Sequence, residues 1–120
     1  SSGEGWCRPV TEAMLFGKPV ISADNGGITD YLSDDYYYRV LSIPQKVKET
    51  NWIPWYSRNQ NWREIKEPEL IKTMRELYNQ RSLLNKDKSN KAKQWVMEHC
   101  SYQIVGNLLK ERLQMIERIL

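Results

Sequence analysis

Two carboxylates and a turn near the N-terminus are the residues of this sequence best suited to hold a ligand. Glu4 and Glu12 are separated by seven residues, among them Gly5 and Pro9. Pro9 lacks an amide proton and has a fixed φ, so it suits the first position of a helix. A helix that begins there leaves backbone amides free for an anion, and carboxylates accept hydrogen bonds from hydroxyl groups. The segment therefore predicts a site for a ligand that carries phosphate and hydroxyl groups.

The residues after the turn predict the elements that position it. Residues 10–16 can continue the helix, and Gly17 suits the left-handed position just past a helix end. Residues 19–23 are short and β-branched in part, and a glycine turn at 25–27 follows them. This pattern is typical of a buried parallel strand. The helix start would present backbone amides within residues 6–11 to an anion.

The complete string resembles glycosyltransferase family 4, whose members are retaining enzymes with the two-Rossmann-domain GT-B fold. The resemblance rests on Gly-Glu-Gly-aromatic-x-x-Pro-x-x-Glu-Ala over residues 3–13. It continues with Gly-x-Pro-Val from Gly17 and with Gly-Gly-x-x-Asp ending at Asp30. It is close over residues 1–32, loose over 33–68, and a matter of helix pattern after that.

The resemblance implies an α/β fold class: the C-terminal part of a Rossmann-like GT-B nucleotide-sugar-binding domain, with few strands followed by three amphipathic helices. Since the motif lies in the second domain of that family, residues 1–120 would be a partial C-terminal, donor-binding domain of a larger enzyme. Strand candidates are few, at 20–23, 36–41 and 51–56. A doubly wound domain usually alternates about five or more strands with helices, so the front half of the sheet is expected upstream.

The resemblance also assigns a role to each position of the motif. Glu4 matches the glutamate that accepts hydrogen bonds from the donor sugar, and Glu12 matches the one that accepts from the ribose. The donor-sugar residues would be Glu4, Gly5, Trp6 and Cys7. The ribose and diphosphate residues would be Glu12, Val10 and Thr11. The sequence departs from the family at Cys7, where glycine is common, and a side chain there is expected to narrow the space beside the sugar.

The family transfers a sugar from a nucleotide diphosphate sugar to an acceptor hydroxyl with retention of configuration. The resemblance implies no metal and no other cofactor, because basic side chains and helix dipoles neutralise the leaving diphosphate. Those basic residues and a histidine near the acceptor lie upstream of Ser1 in relatives, so no catalytic residue is assigned in this chain. The expected partners are the nucleotide sugar, an acceptor sugar or other hydroxyl acceptor, and the missing N-terminal domain. Without that domain the chain is expected to be inactive.

The composition indicates an ordinary globular domain. The 120 residues carry a net charge of +3. No apolar run approaches the roughly 18–20 residues of a transmembrane helix, which suits a cytoplasmic or cytoplasm-facing location. Cys7 in a binding loop and Cys100 in a late helix are not expected to form a disulfide. His99 is the single histidine and shares a predicted helix face with Trp95 and Val96, so it is interpreted as a face residue rather than a metal ligand.

Three amphipathic helices are predicted in the second half of the chain. The first begins near Pro68 and carries the apolar stripe Leu70, Ile71, Met74, Leu77 and Tyr78. The second is expected to have Ser89 or Asn90 as its N-cap.

The terminal helix, within residues 101–120, is expected to have Ser101 as its N-cap. Its apolar face is Val105, Leu108, Leu109, Leu113, Ile116 and Leu120. In the family this helix crosses back toward the N-terminal domain. We therefore predict self-association or domain swapping through residues 102–120.

Residues 45–66 are least like the family and are predicted to be an irregular, Trp-rich insertion in which Pro54 prevents a helix. Its aromatic residues are Trp52, Trp55, Tyr56 and Trp62. They could form a lid or a platform that stacks on an acceptor sugar, or they could pack over a sheet edge. The lysines and arginines between the apolar stripes are typical of a solvated surface, not of a nucleic-acid patch.

Other functions fit parts of the pattern. The chain could be a non-catalytic binding or assembly module that keeps a glycosyltransferase fold, which a protein partner and no nucleotide sugar would stabilise. It could be a sugar phosphorylase of the same fold, for which a ribose contact by Glu12 would serve no purpose. A nucleic-acid binder would instead lose affinity steeply with salt.

Overall fold

The structure, a computed structural model, describes residues 5–47, 55–57, 59–80 and 85–119, which adopt a mixed α/β fold. Along the chain the elements are α1 (Arg8–Leu15), β1 (Ile21–Ala23), a 3-10 helix (Gly27–Asp30), β2 (Tyr38–Val40), β3 (Ser42–Lys46), β4 (Asn61–Ile65), α2 (Glu67–Asn79), α3 (Asn85–His99) and α4 (Tyr102–Glu117). Several residues of interest lie outside the described residues, namely Glu4, Trp52, Pro54 and Leu120.

α1 starts and ends where the local sequence predicts. Pro9 lies in its first turn, where a missing amide proton costs no hydrogen bond. Just past the helix, Gly17 has a φ of 64° and its amide donates to the Met14 carbonyl at 2.9 Å. The Lys18 amide donates to the Ala13 carbonyl, also at 2.9 Å. This pair of bonds is the Schellman arrangement, which needs a residue that tolerates positive φ, so the predicted role of Gly17 is confirmed.

β1 and β2 form a parallel pair, with Ile21 opposite Tyr38 and Ala23 opposite Val40. The parallel strand expected after α1 is therefore confirmed. The residues of β1 are only half-buried, however, in contrast to the fully buried strand that was predicted. β2 is also shorter than the predicted strand at 36–41, because a turn occupies the residues before it.

The main hydrophobic core lies between α1, the parallel pair and α3. Its buried residues are Met14, Val20, Ile28, Tyr31, Tyr37, Ala92 and Val96. α1 packs against α3, and the Met14 side chain is completely buried. The core therefore holds α1, and the turn before it, between two other elements. These are the parallel pair, which follows α1 in the chain, and α3, which comes from the second half of the sequence.

An antiparallel pair, β3 and β4, was not predicted. Ser42 lies opposite Ile65, and Lys46 opposite Asn61. Residues 61–65 were assigned to an irregular insertion, so the prediction is wrong for this part of it. Pro44 obscured the pattern, because proline in a run of residues argues against a central strand. It is tolerated in β3 because most of that strand is exposed.

The predicted helices are present, with one boundary corrected. α2 contains Pro68 in its first turn, as expected, although Leu77 is the residue of α2 that is buried. α3 begins at Asn85, so Ser89 and Asn90 lie inside the helix and are not its N-cap. The polar run at the start of α3 hid its beginning, because it carries no apolar periodicity that would mark a helix.

α4 has the N-cap that was predicted for it. The Ser101 hydroxyl accepts a hydrogen bond from the Ile104 amide at 3.4 Å. Every described residue of α4 is exposed, including the apolar face Val105, Leu108, Leu109, Leu113 and Ile116. In the part of the chain that the structure describes, no helix combines the length and the apolar character needed to span a bilayer.

Candidate ligand-binding site

The turn before α1 holds Cys7 in a left-handed conformation. Its φ is 60° and its ψ is 64°, and among the described residues it is the one non-glycine with positive φ. This conformation suits glycine, whereas an L-residue with a Cβ incurs a cost of about 1–2 kcal/mol. Cys7 is also the position at which the resemblance predicts glycine. The backbone there has a conformation for which glycine is suited.

A stack of aromatic rings packs against the turn before α1 and connects it to α3. The Tyr31 hydroxyl donates to the Trp6 carbonyl at 2.6 Å, and the rings of these two residues stack with centroids 4.5 Å apart. The stack continues from Tyr31 to Trp95 at 5.5 Å and from Trp95 to His99 at 4.6 Å. His99 also contacts the Trp95 carbonyl through Nδ1 at 2.8 Å. Its interpretation as a helix-face residue is thus confirmed, and the turn is tied to α3.

Some backbone amides at the start of α1 already donate a hydrogen bond, whereas others have no acceptor among the described residues. The Val10 amide donates to the Cys7 carbonyl at 2.9 Å, so the expectation that it is free for a diphosphate is wrong in this structure. The first turn is closed by this tight bond, as is common at helix ends. None of the described residues accepts from the amides of Trp6, Cys7 or Arg8. These three amides, unlike that of Val10, are available to an anion.

Thr11 is buried within α1, and its hydroxyl donates to the Arg8 carbonyl at 2.9 Å. The Thr11 side chain therefore stabilises the first helical turn. Any contribution of Thr11 to a ligand would come from its backbone, in agreement with the role that the resemblance gives it.

Glu12 lies on the solvent side of α1. Its Oε1 is 3.4 Å from Nη2 of Arg8, and both side chains are largely exposed. An exposed pair of this kind contributes only about 0.3–0.5 kcal/mol, so it can open at little cost. Glu12 is not among the residues that line the cleft beside Cys7. Because Glu4 lies outside the described residues, the distance between the two predicted carboxylates stays a prediction.

A cleft of about 400 Å³ opens beside the turn. Its lining residues come from the turn, the parallel pair, β4 and α2: Cys7, Ile21, Ser22, Ala23, Asn25, Ile28, Val40, Arg63, Glu64, Ile65 and Leu70. Asn25 is the second residue past β1, and Cys7 directly precedes α1. The cleft therefore reaches the carboxyl end of a parallel strand and the start of a helix, which is where ligands bind in open α/β sheets.

A polar cluster joins the two sheets next to this cleft. Oδ1 of Asp24 accepts hydrogen bonds from the Ser42 amide at 2.9 Å and from the Ser42 hydroxyl at 2.5 Å. Nε of Arg63 donates to the Ser42 hydroxyl at 2.7 Å, and its Nη2 donates to the Ser42 carbonyl at 2.6 Å. The hydrogen bond from the Ser42 hydroxyl is the main cause of the lowered pKa of Asp24. The cluster orients the guanidinium that lines the cleft.

No pattern in the sequence indicates this cluster. Asp24, Ser42 and Arg63 are far apart in the chain, and Arg63 lies in the segment predicted to be an irregular, Trp-rich insertion. The aromatic residues of that segment do make contacts: Tyr56 meets Trp62 edge to face with ring centroids 5.1 Å apart. Neither of the two lines the cleft. Only the pairing of β3 with β4 brings Arg63 to the site.

Cys7 and Cys100 are both free thiols. Within residues 5–47, 55–57, 59–80 and 85–119, no three His, Cys, Asp or Glu side chains form a group that could hold a metal.

Comparison of the chain with protein-family models, with curated protein sequences and with solved structures found no match. A function therefore has to be inferred from the residues and their geometry.

Proposed function

We propose that this chain is part of the donor-binding domain of a retaining GT-B glycosyltransferase, which transfers a sugar from a nucleotide diphosphate sugar to an acceptor hydroxyl. The observation that carries the proposal is the left-handed backbone of Cys7. The motif was recognised from residue types, and one of its positions departed from the pattern. Cysteine does not favour a φ of 60°, so this value reflects the shape of the turn, and it is a value that suits the glycine of the motif.

The surroundings of Cys7 support the same proposal. The helix start follows a proline, a parallel strand comes next, and a cleft opens at the carboxyl end of that strand. The amides of Trp6, Cys7 and Arg8 would meet the diphosphate and the sugar, aided by the dipole of α1. Glu12 would release Arg8 to accept from the ribose hydroxyls. Glu4 and Gly5 would bind the sugar, and Cys7 would limit its size.

The proposed sugar transfer also requires catalytic groups that would come from outside this chain. Departure of a nucleoside diphosphate is favoured by positive charge and oriented dipoles at the leaving group. The start of α1 supplies such a dipole, whereas the acceptor-side residues would come from an N-terminal domain. The chain is therefore proposed to bind the donor and to be inactive alone.

The proposal is tested by calorimetric titration of the chain with a panel of nucleotide diphosphate sugars and with the corresponding free nucleosides. We expect at least one sugar nucleotide to bind, and the free nucleosides to bind much more weakly because they lack the diphosphate. If no member of the panel binds more tightly than a free nucleoside, the proposal is wrong.

A second candidate is favoured by the exposed face of α4. Its residues Leu108, Leu109 and Leu113 are each more than half exposed, and apolar patches of this kind commonly mark contact surfaces. The chain would then be a non-catalytic assembly module. It would be stabilised by a protein partner, or by a second copy of itself, and not by any sugar nucleotide.

A further inference from the structure

The cleft beside Cys7 has two charged residues among its described lining residues, Arg63 and Glu64. They are adjacent on β4, so their side chains point to opposite faces of the strand. The Arg63 side chain lies on the face of Ser42, to which it is hydrogen-bonded. It is 42% exposed, so a ligand can reach it. Because the other described lining residues are apolar or uncharged, recognition of an anion in this cleft depends on Arg63.

The guanidinium of Arg63 is fixed before any ligand arrives. Two of its donors are hydrogen-bonded to Ser42, through the hydroxyl at 2.7 Å and the carbonyl at 2.6 Å. Ser42 is itself buried and held by Asp24. A guanidinium carries five N–H donors, and in the part of the chain that the structure describes no residue accepts from Nη1. Arg63 thus has a fixed orientation and still has N–H donors that can bind a ligand.

This arrangement suits a phosphate. The planar guanidinium matches the spacing of two phosphate oxygens, and a guanidinium that is already oriented loses less conformational entropy on binding. A cleft of about 400 Å³ also lies within the usual range of small-molecule sites.

We infer that Arg63 binds the phosphate of a ligand in this cleft and that Ser42 positions it for this role. The identification of that ligand as a nucleotide diphosphate sugar rests on the proposed function. The phosphate would then lie between the guanidinium of Arg63 on one wall and the turn at Cys7 on another.

The test uses inorganic pyrophosphate as the probe, titrated into the chain at low ionic strength and followed by calorimetry. Arg63→Gln should weaken binding about tenfold or more, because a charge-assisted hydrogen bond is lost. Arg63→Lys, which keeps the charge but not the fork, should recover part of the affinity. The matched control is Arg112→Gln on α4, which should bind as the unaltered chain does.

Ser42→Ala tests the positioning role. It keeps the guanidinium but removes the hydroxyl that orients it, so binding should be intermediate between that of the unaltered chain and that of Arg63→Gln. Thermal melting of each variant establishes that it is folded. If Ser42→Ala binds pyrophosphate as tightly as the unaltered chain, Ser42 does not position Arg63.

The inference is overturned if pyrophosphate does not bind, or if Arg63→Gln and Arg112→Gln bind it equally. Its failure is distinguishable from that of the proposed function. If pyrophosphate binding requires Arg63 but no sugar nucleotide binds more tightly than a free nucleoside, the inference stands and the proposed function is wrong. If a sugar nucleotide binds and Arg63→Gln leaves its affinity unchanged, the proposed function stands and the inference is wrong.

Discussion

The carboxylate of Asp24 accepts two hydrogen bonds from a single residue, Ser42: one from its amide at 2.9 Å and one from its hydroxyl at 2.5 Å. Asp24 directly follows β1, and Ser42 begins β3. The contact therefore joins the parallel pair to the antiparallel pair. Both bonds favour the ionised carboxylate, which is why the pKa of Asp24 is lowered from its ordinary value of 3.8.

The lowered pKa predicts an acid-sensitive contribution to stability. An acid with a depressed folded-state pKa stabilises the fold above its unfolded-state pKa, and this contribution is lost as the pH falls through the folded-state value. Asp24→Asn should lower stability at neutral pH by about 1 kcal/mol. Below pH 3.8 the difference from the unaltered chain should shrink. Thermal melts across this pH range, with the exposed Asp30→Asn as control, measure the effect. The prediction would be contradicted if the difference in melting temperature between Asp24→Asn and the unaltered chain were the same at all pH values.

Cys7→Gly should make the chain slightly more stable. Glycine removes the cost of the left-handed φ, and part of this gain is offset by the greater freedom of glycine in the unfolded chain. We expect a net gain of about 0.5–1 kcal/mol. Cys7→Ala is the matched control, because alanine also lacks the thiol but keeps a Cβ at positive φ. Chemical denaturation measures both variants, and equal stabilities for glycine and alanine would show that the backbone is not strained.

Tyr31→Phe should loosen the turn without removing the aromatic stack. The change deletes the hydrogen bond to the Trp6 carbonyl and keeps the ring that lies 4.5 Å from Trp6. We expect a loss of about 0.5–1.5 kcal/mol in unfolding free energy. Tyr102→Phe serves as control, because Tyr102 is fully exposed. The prediction fails if the two variants unfold at the same denaturant concentration.

Substitution of the two motif glutamates should separate their roles. Glu12→Ala should weaken binding of the bare nucleoside diphosphate by about 1.5–3 kcal/mol, the range for a hydrogen bond to a charged group. Glu4→Ala should weaken only ligands that carry the sugar. Titration calorimetry with each nucleoside diphosphate and its sugar conjugate distinguishes the two. Equal binding of the bare nucleotide by Glu12→Ala and the unaltered chain would exclude the ribose role.

The exposed face of α4 predicts concentration-dependent self-association. Leu109→Glu should weaken it, because a charge would be placed on the apolar face, whereas Asn107→Asp should change it little. Sedimentation velocity over a range of protein concentrations measures the effect. A monomer at the highest concentration would exclude this association.

Features set by neighbouring residues were predictable from the sequence. Pro9 and Gly17 bound α1, and Ser101 caps α4, because each acts on its own backbone or within one helical turn. The left-handed Cys7 was not predicted, since cysteine carries no preference for that conformation. Its position in the motif was the one indication, and it had been interpreted as a change in the space beside the sugar.

Features set by distant contacts were not predictable. The start of α3 was misplaced because its first residues are polar, yet contacts hold them: Ser89 is buried, and Nζ of Lys88 donates to the Asp34 carbonyl. β3 and β4 were missed for a similar reason, since their pairing spans a long connection and β3 contains a proline. The position of Arg63 follows only from that pairing.

The stacked rings of Trp6, Tyr31, Trp95 and His99 should give the turn at Cys7 its own circular dichroism signal. Indole and phenol chromophores this close together couple their ultraviolet transitions, and the resulting circular dichroism depends on their mutual angle. Any ligand that shifts Trp6 would change that coupling. The chain therefore carries a built-in, label-free reporter of the conformation of the turn at Cys7.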